Sequence, residues 1–147
     1  MNASLPKSIR FLAWFGIVNG ILTVATPVVL PLLSEPLLPL SIIVFYVLLG
    51  GASAVSGFYG LKAKQWAFRL LFVTFLVQCG EYFSENFFLS LIGPLSLKFG
   101  WGWYSPPSHF NINILAIVVC VFAARAIIFL TPSSSTNVPS DNAASLG

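Results

Sequence analysis

Few side chains in this 147-residue chain could do chemistry, and most of them fall between residues 78 and 113. The run Gln78-Cys79-Gly80-Glu81-Tyr82-Phe83-Ser84-Glu85-Asn86 carries two carboxylates, and Lys98 and His109 follow it. Read as helix, Gln78, Glu81, Tyr82 and Glu85 recur at i, i+3, i+4 and i+7 and share one stripe. A charged side chain inside a bilayer costs about 3 kcal/mol or more, so such a stripe must face a bundle interior or a water-filled cavity. The chemistry it would support is the binding of a proton or cation by Glu81 and Glu85, with Lys98 and His109 as neutralising partners.

Other chemistries find less to stand on. There is no CxxC, no HExxH and only one histidine, so neither a metal centre nor a cofactor is expected. Cys79 and Cys120 fall at similar depths along their segments, yet buried cysteines behave as small apolar residues more often than they form disulfides. No nucleophile set or phosphate-binding loop is present, and a membrane enzyme acting on lipid or quinone would have to use Glu81 or His109 alone as its general base.

The elements that must position these residues are four apolar blocks, about 11–33, 40–61, 66–92 and 112–130. A helix crosses a hydrocarbon core of about 30 Å with roughly 20 apolar residues. Within lipid only a helix satisfies its own backbone polar groups without closing into a barrel. Charged residues make up 7% of the chain, against roughly 25% in soluble domains, and the mean hydropathy is +0.91. The expected fold is therefore all-α, a polytopic four-transmembrane-helix bundle. A short basic N-terminus (1–10) precedes the single membrane domain (11–131), and a disordered Ser-, Asn- and Pro-containing tail (132–147) follows it.

Basic residues near short loops stay on the cytoplasmic side. Lys7 and Arg10 precede the first block, and Lys62, Lys64 and Arg69 surround the turn between the second and third. Both termini are thus expected in the cytoplasm, with a multi-pass placement in a membrane of the bacterial inner (plasma) type. The net charge of +3 is spread along short loops, which argues for lipid headgroups as partners and against nucleic acid.

Packing signals are concentrated in the first two blocks. Gly16 and Gly20 form a GxxxG pair, and Ser53, Gly57 and Gly60 offer a matching small-residue surface. Asn19 and Ser53 count to similar heights above the basic end, so a hydrogen bond between them would set the register of this hairpin. Pro27 and Pro31 should kink or end the first helix, and Glu35 beyond it reads as a solvated loop residue. Arg125 is expected to snorkel towards nearby headgroups. The segment 93–110 holds Phe99, Trp101, Trp103 and Tyr104 and reads as an aromatic loop lying at the membrane surface, or as a lid over the carboxylates.

These features favour a non-catalytic integral membrane protein, an accessory, assembly or regulatory component acting through helix and loop contacts. A homo-oligomer or another membrane protein is the expected partner. The alternative is a small oligomeric transporter or channel subunit built around Glu81.

Overall fold

The computed structural model describes residues 5–33, 38–85, 87–90, 94–104 and 107–131, with the side chains of 87–90 left aside. Glu35 and the 132–147 tail lie outside these residues. In chain order the elements are α1 (Lys7–Leu32), α2 (Leu40–Leu61), α3 (Gln65–Val77), β1 (Gly80–Ser84), β2 (Phe87–Ser90), β3 (Lys98–Tyr104), β4 (Pro107–Asn113) and α4 (Ile114–Leu130). The chain is mostly helical, but it is not all-α: a four-stranded antiparallel sheet of order β2-β1-β4-β3 is inserted between α3 and α4.

Two helices, α1 and α2, are long and apolar enough to cross a membrane; α3, with 13 residues, and α4, with 17, are shorter apolar helices. At 1.5 Å per residue the four rise about 39, 33, 20 and 26 Å. α1 continues to Leu32 through both Pro27 and Pro31, so neither proline ends it. Thr23 and Thr26 next to this stretch turn their hydroxyls back onto the carbonyls of Asn19 and Leu22, at 2.7 and 2.8 Å.

The α1–α2 hairpin closes on glycine. A Cβ at Gly20 would overlap Ala54 N and stand 2.5 Å from Gly50 O, and one at Gly57 would overlap Ala13 O and stand 2.6 Å from Ile17 N. Gly16 and Gly60 lie on the same seam in looser surroundings, where a Cβ at Gly60 would stand 3.2 Å from both Ala13 Cβ and the Phe68 ring. The backbones themselves are therefore in contact, as small residues at helix interfaces permit. The polar contact differs from the one expected. Ser53 donates its hydroxyl to Gly16 O at 2.9 Å, while the amide of Asn19, fully buried, finds no hydrogen-bond partner among the described residues.

The α2–α3 turn brings Lys62, Lys64 and Arg69 to one end. Ala63 takes a left-handed conformation (φ 57°), and Ala63 N and Lys64 N donate back to the Gly60 and Tyr59 carbonyls. Lys62 lies over the Phe58 ring at 4.5 Å. At this same end Gln65 ties α3 to α4 by donating to Ile127 O and Thr131 Oγ1, at 3.2 and 2.7 Å. The core runs up from there through Ile9, Leu12, Phe68, Leu71, Phe75, Val119 and Ala123.

The expected third helix of 66–92 stops at Val77, and the reason is local. Gln78 Nε2 donates to Thr74 O at 3.2 Å and Cys79 Sγ to Phe75 O at 3.3 Å, so carbonyls left without a next turn are satisfied by side chains. Gly80 follows, and the aromatic residues after it suit an extended chain better than a helix. Cys79 and Cys120, both free thiols, meet near this point within hydrogen-bonding reach of each other.

Candidate functional site

The sheet gathers every residue singled out above as an ion or proton ligand, but not on a helical stripe. Glu81 lies in β1, Lys98 begins β3, His109 lies in β4, and Glu85 is exposed in the turn after β1. Register decides which side chains share a face, because residues directly opposite in an antiparallel pair point the same way. Glu81 opposes Asn111, which opposes Gly100; Phe83 opposes His109, which opposes Gly102; Lys98 opposes Asn113. These form one face. On the other, Tyr82 opposes Phe110 and Phe110 opposes Trp101, with Phe99 and Trp103 on either side along β3.

The first face is a polar cluster. Glu81, whose side chain is 11% exposed, takes the Lys98 ammonium at 3.0 Å and the Asn111 Nδ2 at 3.2 Å, both on Oε2. The glycines of β3 make this possible. A Cβ at Gly100 would collide with Asn111 Oδ1 and one at Gly102 with the His109 ring, so both side chains lie across the strand where it carries none. His109 also stands 6.1 Å from the Phe83 ring, centre to centre. Glu81 is thus a carboxylate compensated by a cation and an amide on a sheet strand, where helical spacing put it on a stripe with Gln78, Tyr82 and Glu85.

A Glu81→Gln substitution tests how much this pair holds. Lys98 is 43% exposed, so solvent screens the attraction, and the loss is expected at about 0.5–1 kcal/mol in thermal unfolding, shrinking further in 1 M salt. A loss several times larger, insensitive to salt, would show Glu81 to be a structural keystone.

The second face is aromatic and open. Trp101 is 54% and Trp103 57% exposed, Phe99 packs edge-on against Trp101 at 4.8 Å, and Tyr82 and Phe110 continue the row onto β1 and β4. β3 is also one of the two edge strands of the sheet, the other being β2, with one side of its backbone facing away from β4. Reading the sequence placed these rings at the membrane surface but missed the strand. The alternation in Phe99-Gly100-Trp101-Gly102-Trp103, with period two, was the signal that could have found it.

Asn113 joins the sheet to α4. Its Oδ1 accepts from Leu97 N at 3.2 Å and from Ala116 N at 3.3 Å, capping the helix while fixing the approach to β3. Its own N–H donates to Cys79 O at 2.9 Å, so the point where α3 ends is bonded to the point where α4 begins. The chemistry open to the whole arrangement is recognition: a compensated polar face, an exposed aromatic face and a free strand edge. No protein family, curated protein or solved structure matches the chain.

Proposed function

We propose that this protein is a non-catalytic integral membrane component that works by contact, using the aromatic face and free edge of its sheet to hold another membrane protein. In this reading the chain crosses a bacterial inner-type membrane four times, with both termini and the basic residues on the cytoplasmic side and the sheet at the opposite surface. The observation that carries the reading is the row Tyr82–Phe110–Trp101 with Phe99 and Trp103 beside it, exposed on one side of a two-faced sheet. Exposed apolar patches of this kind mark interaction sites, and tryptophan and tyrosine dominate the energetics of interfaces. The outer edge of β3, which no other described strand joins, adds backbone groups that a partner strand can complete.

The transporter reading draws less support. Its premise was a helical stripe with Glu81 facing a bundle interior or a water-filled cavity, and Glu81 sits on a strand bonded to Lys98 and Asn111.

The test is co-purification from membranes of the tagged full-length chain. Trp101→Ser combined with Trp103→Ser is expected to reduce the retained partner at least about 30-fold, since an interface hot spot is worth about 2 kcal/mol or more. Equal recovery from wild type and double variant, or a wild type that retains no protein, would refute the reading.

A further inference from the structure

α1 and α4 meet over a shorter contact than α1 with α2 or α3 with α4, and at the basic end a groove of about 580 Å3 opens between them. That volume falls within the roughly 300–1,000 Å3 of small-molecule sites. Its walls are apolar, from Ile9 on α1 and Phe122, Ala126 and Phe129 on α4, and two polar groups stand among them, Ser8 and Arg125. Phe129 is 60% exposed, so the groove is open on its α4 side.

Among the described residues the charges around it are of one sign: Lys7, Arg10, Lys62, Lys64, Arg69 and Arg125 gather at this end, whereas Glu81 lies in β1 and Glu85 in the turn after it. Arg125 makes no ion pair among the described residues. A guanidinium among apolar walls, at the level where headgroups begin, calls for an anion carrying a hydrocarbon tail. A phosphate matches the planar donor fork of arginine, and an acyl chain matches the walls.

We propose that this groove is a binding site for one anionic phospholipid of the basic-side leaflet, its phosphate on Arg125 and Ser8 and a chain along Ile9, Phe122 and Phe129. The inference rests on the membrane reading above. It goes further than general attraction to a negative surface, because both the charge and the shape of the groove must matter.

The test uses the full-length protein in phosphatidylcholine vesicles holding a trace of spin-labelled phosphatidylglycerol or spin-labelled phosphatidylcholine. The measured quantity is the preference for phosphatidylglycerol in the motionally restricted lipid fraction. Arg125→Gln is expected to cut that preference about fivefold, and Lys64→Gln, which removes one charge outside the groove, by less than about twofold at physiological salt. Ser8→Phe keeps every charge but fills the groove at an exposed position, and it too is expected to abolish the preference. Equal effects of Arg125→Gln and Lys64→Gln, or a Ser8→Phe variant that behaves as wild type, would overturn the site in favour of diffuse attraction. A Ser8→Phe variant that loses self-association while keeping its lipid preference would overturn it in favour of a second copy of the chain. Failure of the protein to enter vesicles would instead refute the membrane reading itself.

Discussion

Replacing Gly57 by leucine is expected to pry α1 from α2 and to cost about 3 kcal/mol or more, at the upper end of overpacking penalties. A Cβ there already meets the backbone of Ala13 and Ile17, and backbone cannot rotate aside as a flexible side chain can. The helices must separate, which also carries Ser53 away from Gly16 O and strips that hydrogen bond of its geometry. Gly51, six residues earlier on the same helix, has nothing within 4 Å of its missing Cβ. Gly51→Ala is therefore the matched control, expected to leave stability unchanged or raise it by up to about 1 kcal/mol through helix propensity. Thermal unfolding of both variants in detergent decides the matter; a Gly57→Leu midpoint equal to that of Gly51→Ala would mean that α1 and α2 do not meet as described.

The second large effect is expected at Asn113. Its side chain accepts from two backbone N–H groups at once, and alanine would leave both Leu97 N and Ala116 N without that acceptor at a fully buried position. Loss of a helix cap and of a buried hydrogen bond together amount to about 2–3 kcal/mol. Asn113→Asp retains both acceptor positions, but it puts a charge at a fully buried position, so the helix-dipole gain is offset by desolvation and only the cap itself, not the full stability, is expected back. Hydrogen exchange gives a local reading: the Leu97 and Ala116 amides should lose protection in the alanine variant and keep it in the aspartate one. Equal protection in all three proteins would contradict the cap.

Why some of this was legible in the sequence and some was not comes down to what each signal encodes. Gly16, Gly20, Gly57 and Gly60 announce close approach directly, since only a missing side chain lets two backbones touch, and α2 was read at its observed 40–61 limits. Hydropathy, in contrast, measures how apolar a segment is and not how it is folded. Phe83, Phe87, Phe88 and Leu89 keep the stretch after Gly80 apolar enough to read as a continuation of α3, although Gly80 and the side-chain bonds of Gln78 and Cys79 end that helix. The spacing that put Glu81 and Glu85 on one stripe was sound helical geometry applied to residues that are not helical. The partnership of Glu81 with Asn111 could not have been read from sequence at all, because it depends on a strand register set across 30 residues.

The helices differ in height: against a hydrocarbon thickness of about 30 Å, α1 and α2 are long enough, while α3 falls short by about 10 Å and α4 by about 4 Å. On the proposed four-crossing reading, lipids along the short flank would thin to meet it, at fractions of a kcal/mol for each ångström of mismatch, and that one-sided dent would favour thinner bilayers.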